Sequence, residues 1–147
     1  MGTSDASKLL KPAPIPVLRI LVVDDDRGFF LLLESSLTMC GAEVEINTAT
    51  TGHLAIVGLL TTSYDRLPQL AIVDIGMPLI SGFEVAQQLI WHGVPTLMVS
   101  AMVTEERRER CLAIGALNLL AKPNDAAGYQ LLASQVLDYS RAGRTGP

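Results

Sequence analysis

The sequence contains little cysteine and few aromatic residues. Its 147 residues include two cysteines, Cys40 and Cys111, without a C-x-x-C pair, and aromatic residues make up 5% of the chain. This pattern excludes a disulfide-stapled scaffold and a cysteine-based zinc site. We interpret both cysteines as buried thiols in a reducing compartment. A chain of this length buries about 68–70% of its unfolded surface, which suffices for one compact domain.

The sequence also lacks a long apolar run and a leader segment. The longest stretch near the middle with neither a charged residue nor a histidine, residues 93–104, is interrupted by Pro95 and is shorter than the roughly 18 apolar residues of a membrane span. The N-terminus has no basic start followed by an apolar segment, as a secretory signal would have. We therefore expect a cytoplasmic protein that does not cross a membrane.

Positive charge is scarce in the central part of the chain. The whole sequence has a net charge of −4, but residues 1–16 carry +1 and residues 141–147 carry +2, so residues 17–140 carry −7. An acidic body repels nucleic acid, and the sequence has no basic stripe or recognition-helix motif. We predict that the protein does not bind nucleic acid.

The chain divides into one domain between two tails. Residues 1–16 end with proline at alternate positions, which favours a flexible, extended tail. The glycine-containing residues 141–147 are expected to form a flexible C-terminal tail. Residues 17–140 remain as the predicted domain.

Short apolar runs and longer amphipathic segments alternate within this domain. The alternation predicts an α/β fold of five β-α units, (βα)5, in which a doubly wound, five-stranded parallel sheet lies between two layers of helices. Strand two alternates polar and apolar residues and is predicted to lie at an edge. The predicted strands are 18–24, 43–48, 69–74, 95–100 and 117–121, and the predicted helices are 27–40, 51–61, 82–91, 104–114 and 125–140.

Carboxylate, hydroxyl and ammonium groups follow four of the five predicted strands. In a parallel sheet the carboxyl ends of the strands meet at one edge, where ligands bind. Adjacent carboxylates repel one another unless a cation compensates them, and their oxygens suit Mg²⁺. The residues at this edge are Asp24, Asp25 and Asp26 after strand one, Asp74 at the end of strand three, Ser100 at the end of strand four and Lys122 after strand five.

Each of these residues also has an ordinary structural explanation. The aspartate run could cap the next helix, Ser100 could cap a turn, and a lysine most often forms a weak surface ion pair. Lys122 is, however, the only lysine outside the N-terminal tail. A carboxylate nucleophile, a metal held by neighbouring acids, a hydroxyl and an ammonium together indicate a phosphoryl-transfer site in which the protein supplies the acceptor.

Four short motifs, in order along the chain, resemble the receiver domain of two-component response regulators. The resemblance spans about residues 17–140 and implies the flavodoxin-like receiver fold with strand order 2-1-3-4-5. It also implies a cis peptide bond before Pro123. The motifs are LVVDDD at 21–26, IVDIGMP at 72–78 with Gly82 after it, VSA at 99–101 and AKP at 121–123.

The resemblance implies a role for each residue at the predicted edge. Asp74 would be the phospho-acceptor, Ser100 would hydrogen-bond the phosphoryl group and relay the switch, and Lys122 would pair with that group. The ligands of Mg²⁺ would be Asp24, Asp25, Asp74 and the backbone carbonyl of Gly76. Such a protein catalyses its own phosphorylation and dephosphorylation and is not a turnover enzyme.

Two positions bear on how this chain would differ from other receivers. The third residue before the lysine is usually Tyr or Phe in receivers of this kind, and here it is Leu119. The usual aromatic switch is therefore missing, and we expect the output to use another route or another face. Gly76 leaves the acceptor without a side chain over the phosphoryl group, which predicts an open site.

The resemblance further implies a stand-alone, single-domain response regulator, because only about seven residues follow the last predicted helix. It would receive phosphate from a sensor histidine kinase or a phosphotransfer protein. It would signal through phosphorylation-dependent contact with an unidentified target protein or through a phosphorelay, as a monomer or a homodimer.

The sequence leaves two alternatives open. One is a receiver-like docking module that works without phosphorylation, an interpretation that Leu119 keeps open. The other is a phosphatase of the haloacid dehalogenase type, which also has an Asp-x-Asp motif after strand one but leaves the motif around Asp74 unexplained.

Overall fold

A computed structural model describes residues 17–145 of the chain. The predicted N-terminal tail and the last two residues of the predicted C-terminal tail lie outside this range. The strands are β1 (Leu18–Val23), β2 (Val44–Ala49), β3 (Leu70–Asp74), β4 (Thr96–Ser100) and β5 (Leu119–Ala121). The helices are α1 (Arg27–Met39), α2 (Gly52–Thr61), α3 (Gly82–Trp91), α4 (Glu105–Ala113) and α5 (Ala126–Thr145).

The five strands form one sheet in the order β2-β1-β3-β4-β5, and every neighbouring pair is parallel. This confirms the predicted α/β architecture, the predicted strand order and the edge position of β2. All residues of β3 and β4 are buried, whereas β2 is largely exposed. The central strands are apolar because helices cover both of their faces.

Two apolar layers hold the helices against the sheet. On one face, Leu33 of α1 and Val136 of α5 pack with Ile72 of the central strand. On the other face, α2, α3 and α4 pack against the sheet through a cluster that includes Val85 and Leu119. Alternate residues of each strand therefore face opposite layers, which fixes the strand register.

The predicted element bounds agree with the structure to within two residues, with one exception. Helix α5 runs to Thr145, five residues past its predicted end, so the first part of the predicted C-terminal tail is helical. A short 3-10 helix at Tyr64–Arg66 was not predicted. Thr104 caps α4 through a hydrogen bond from Arg107 N, which provides a partner for a free amide at the helix start.

One prediction about the thiols is wrong. Cys111 is buried in the core, but Cys40 is exposed because it lies at the end of α1, beyond the last turn that packs on the sheet. Across residues 17–145, no helix combines the length and the apolar character needed to cross a membrane.

Candidate functional site

The parallel sheet brings the predicted residues to one edge. Asp24 directly follows β1, Asp74 ends β3, Ser100 ends β4 and Lys122 directly follows β5. Asp24, Asp74 and Ser100 are buried, and Lys122 is partly buried. The close approach of these groups depends on the strand order, since β1, β3, β4 and β5 are consecutive neighbours in the sheet.

Three carboxylates form the acidic part of the site. One oxygen from each of Asp24, Asp25 and Asp74 lies within 4.8 Å of the others. The Asp24 side chain is almost fully buried, whereas Asp25 is exposed. A cluster with one solvent-facing member offers oxygen ligands and still leaves access for water and phosphate, as Mg²⁺ sites do.

The ammonium of Lys122 lies between two of these carboxylates. Its Nζ is 2.6 Å from Asp24 Oδ2 and 3.2 Å from Asp74 Oδ2. Burial alone would lower the pKa of Lys122, but the hydrogen bond and charge of Asp24, followed by those of Asp74, outweigh burial and raise this pKa above its usual value. Lys122 is therefore a permanent cation at neutral pH.

Asp24 is under the opposite influence. Burial raises the pKa of its carboxyl, and the hydrogen bonds and charge of Lys122 and the amide of Asp26 reverse this effect only in part. The buried Oδ2 atom of Asp24 has Lys122 Nζ, at 2.6 Å, as its ionic partner in the described part of the chain. A buried carboxylate oxygen of this kind fits a divalent cation as a further ligand.

The loop after β3 holds Asp74 in place. Gly76 N donates a hydrogen bond of 3.0 Å to Asp74 Oδ1. At the start of α3, a Cβ on Gly82 would lie 2.2 Å from the carbonyl oxygen of Asp74, so only glycine fits this approach. By contrast, a Cβ on Gly76 would lie 3.6 Å from Asp74 Oδ1, which is an ordinary contact. That the Gly76 carbonyl is a metal ligand stays a prediction.

Ser100 is bonded to the loop between β4 and α4. Its Oγ donates to the Met102 carbonyl at 2.9 Å and accepts from Met102 N at 3.2 Å. Arg107 Nη1 donates to the same Oγ at 3.3 Å and to the Met102 carbonyl at 2.9 Å. Sequence reasoning missed Arg107, because an arginine in the first turn of an exposed helix carries no local sign of its partner.

Two apolar residues complete the surroundings. Lys122 Nζ lies 5.0 Å from the ring centroid of Phe29, a buried residue of α1. Such a cation-π contact favours the charged ammonium. Leu119, at the position where an aromatic residue was expected from the family pattern, is fully buried in the layer beneath α2, α3 and α4.

The peptide bond before Pro123 differs from the expectation. It is trans, as are all peptide bonds in the described part of the chain, so the prediction of a cis bond is wrong. The trans form is the intrinsically more stable one before proline, by about 0.5–1 kcal/mol.

Comparisons with known proteins agree with this geometry. The sequence model of the family described as "Response regulator receiver domain" matches residues 20–132. The chain is 36% identical over 108 residues to "Response regulator MprA" of Mycobacterium avium (strain 104), a match that covers 72% of this chain and 45% of that protein. It is 29% identical over 134 residues to a "Protein-glutamate methylesterase/protein-glutamine glutaminase" of Desulfitobacterium hafniense (strain Y51), covering 88% of this chain and 33% of that protein.

A solved structure supports the same likeness. The "response regulator receiver domain protein (CheY-like)" from Methanospirillum hungatei JF-1 is similar with a TM-score of 0.65 and 26% identity, covering 86% of this chain and 98% of that one. The chain spans less than half the length of the curated relatives it matches above.

Proposed function

This chain belongs to the response regulator receiver domain family, and from that membership we propose that Asp74 accepts a phosphoryl group. The observation that carries the proposal is the position of Asp74. It is a buried carboxylate at the end of a central strand, with an ammonium 3.2 Å away and two further carboxylates beside it. This combination of nucleophile, cation and metal-type ligands is what phosphoryl transfer to a protein side chain requires.

In the proposed step, a carboxylate oxygen of Asp74 forms a bond to phosphorus. The bond between phosphorus and the donor's leaving atom breaks at the same time, and the leaving atom keeps that electron pair. Lys122 is already 3.2 Å from Asp74 Oδ2 and supplies positive charge where the phosphoryl oxygens arrive. Ser100 would turn its hydroxyl toward those oxygens after transfer.

The acidic cluster is proposed to hold Mg²⁺ through Asp24, Asp25, Asp74 and the Gly76 carbonyl. A bound Mg²⁺ would neutralise phosphoryl oxygens and reduce their repulsion by the carboxylates. The fit rests on the spacing of the three acids and on the buried Asp24 Oδ2 atom.

We propose a histidine kinase or a phosphotransfer protein as the source of phosphate. The signal would then pass to a target protein through phosphorylation-dependent contact, or onward through a phosphorelay. The free thiols of Cys40 and Cys111 are in keeping with a cytoplasmic location.

The test is the intact mass of the protein after incubation with Mg²⁺ and acetyl phosphate. We expect one phosphoryl increment on the wild type, none on Asp74→Asn, and none when Mg²⁺ is chelated. Steady release of phosphate from an ester without labelling of Asp74 would instead favour a phosphatase.

A second candidate function is docking that does not depend on phosphorylation. The observation that favours it is Leu119, because a buried leucine cannot perform the hydrogen-bonding role of a tyrosine. Wild type that binds Mg²⁺ but gains no mass from either acetyl phosphate or a phosphorylated kinase would support this candidate and contradict the first.

A further inference from the structure

The hydroxyl of Ser100 has no free hydrogen-bonding capacity. A serine hydroxyl has one proton to donate and two lone pairs to accept. In the structure, the proton goes to the Met102 carbonyl, and the lone pairs accept from Met102 N and Arg107 Nη1. Ser100 must therefore give up at least one of these bonds before it can donate to a phosphoryl group on Asp74.

Arg107 is the side chain that closes this arrangement. One nitrogen, Nη1, bridges Ser100 Oγ at 3.3 Å and the Met102 carbonyl at 2.9 Å. Among the ion pairs of residues 17–145, none includes Arg107, although Glu105 and Glu106 lie on the same turn. The bonds to Ser100 and Met102 are thus its specific contacts in the site region.

The position of Arg107 in α4 strengthens this interpretation. A cation in the first turn of a helix is disfavoured by the positive end of the helix dipole. Here the guanidinium reaches back across the helix start to the β4–α4 loop, where a hydroxyl and a carbonyl oxygen accept from it. These two bonds offset the unfavourable location.

The side chain of Leu119 cannot respond to the orientation of the Ser100 hydroxyl. Its side chain is apolar, fully buried and packed within the layer under α2, α3 and α4. It has no polar atom that could bond to a hydroxyl. A group that responds to Ser100 has to come from elsewhere, and Arg107 is in contact with Ser100.

We infer that Arg107 is a positioning residue that holds Ser100 turned toward Met102 while Asp74 is unphosphorylated. Phosphorylation draws the Ser100 hydroxyl to the phosphoryl group, breaks the shared bonds and frees Arg107 and the first turn of α4. In the family pattern, an aromatic residue on β5 responds to the hydroxyl residue, but this chain has Leu119 at that position. Arg107 on α4 provides the response to Ser100 instead. The inference rests on the proposed function of Asp74.

The test is the affinity of the Mg²⁺-loaded protein for beryllium fluoride, a phosphoryl mimic, measured by calorimetry. Arg107→Gln removes the restraint, so the mimic no longer has to break it, and we expect roughly threefold tighter binding, the size of effect typical of an exposed charged contact. Damage to the site would weaken binding, so a gain separates the positioning role from a merely structural one.

Arg110→Gln is the matched control. It removes the same charge from the same helix, but Arg110 stacks on Phe83, at 3.9 Å from the ring centroid, and does not bond to Ser100. We expect unchanged affinity for this variant. In a Ser100→Ala background, Arg107→Gln should add no further gain, because the hydroxyl that it restrains is gone.

Equal or weaker binding by Arg107→Gln overturns the inference, and weaker binding would make Arg107 a phosphoryl ligand instead. Failure of the wild type to bind the mimic or to gain mass contradicts the proposed function separately. If the wild type fails in this way, amide hydrogen exchange still tests whether Arg107 restrains Ser100 in the unphosphorylated protein. Met102 N donates to Ser100, so its exchange should accelerate in Arg107→Gln and not in Arg110→Gln, and equal exchange rates would reject the restraint.

Discussion

The ammonium of Lys122 lies 2.6 Å from Asp24 Oδ2, at the centre of the acidic edge of the sheet. The Asp24 side chain is 1% exposed and the Lys122 side chain 17%, so this ion pair is largely removed from water. Its two members are far apart in the sequence, one directly after β1 and the other directly after β5. The pair ties the site together before phosphorylation, and a phosphoryl group on Asp74 would compete with Asp24 for the same cation.

Replacement of Lys122 by methionine should destabilise the Mg²⁺-free protein. Breaking a buried ion pair costs about 3–5 kcal/mol, but Lys122 is partly exposed and Asp24 can take up a proton, so we expect about 1–3 kcal/mol. Urea denaturation at neutral pH measures this change. Mg²⁺ should restore part of the loss, because it neutralises the same carboxylates, and a loss unaffected by Mg²⁺ would contradict this explanation.

The stability of the Mg²⁺-free protein should carry a contribution from Asp24 that grows as the pH falls. Burial raises the folded-state pKa of Asp24 above its ordinary value of 3.8, so the folded state holds this proton more tightly than the unfolded state does. Stability is therefore gained as the pH falls through the folded pKa, and the gain is complete below 3.8. Denaturation at a series of pH values, compared with Asp24→Asn, isolates this contribution.

If Mg²⁺ binds the ionised carboxylates as proposed, saturating Mg²⁺ should reverse this pH dependence of stability, because a bound ion would stabilise only the folded state. Lowering the pH would then protonate the carboxylates, release Mg²⁺ and decrease the stability of the folded protein. Identical pH profiles for the wild type and Asp24→Asn, with and without Mg²⁺, would show that Asp24 has no such role.

The substitution Gly82→Ala should damage both the fold and the site. Its Cβ would lie 2.2 Å from the Asp74 carbonyl oxygen, so α3 or the end of β3 has to move. Forced shifts of this kind cost about 1–3 kcal/mol, and displacement of Asp74 should slow phosphorylation by acetyl phosphate. Thermal denaturation and intact mass measure the two effects.

Gly58→Ala is the matched control for that experiment. Gly58 lies within α2, and a Cβ there would have nothing within 4 Å. Alanine in a helix interior is favoured over glycine by about 0.5–1 kcal/mol, so this variant should be slightly more stable and fully phosphorylated. Equal behaviour of the two variants would mean that the close approach at Gly82 does not matter.

A side chain at position 76 should slow the loss of phosphate from Asp74. A Cβ at position 76 would make only an ordinary contact, 3.6 Å from Asp74 Oδ1, and we expect the longer side chain of Gly76→Gln to cover the acceptor. Shielding from water should lengthen the half-life of the aspartyl phosphate, by roughly twofold or more. Decay of the phosphorylated mass after removal of acetyl phosphate gives this rate, and an unchanged or faster rate would show that access at Gly76 does not limit hydrolysis.

The sequence by itself determined the order of the elements, most of their bounds and the residues at the strand ends. These features are local, because apolar runs, capping residues such as Thr104 and the residue that follows each strand are all read within a few positions. The acidic cluster could also be predicted, because parallel strands bring their carboxyl ends to one edge of the sheet.

Only the tertiary structure decided how those groups are partnered. The 2.6 Å pair of Lys122 with Asp24, the contact of Lys122 with Phe29 and the bond from Arg107 to Ser100 join residues whose side-chain directions depend on packing between helices and sheet. Burial likewise decided that Cys111 lies in the core and Cys40 at the surface. A sequence pattern specifies which face a residue occupies, but hydrogen-bond partners are chosen by distances of a few tenths of an ångström, which only the folded chain sets.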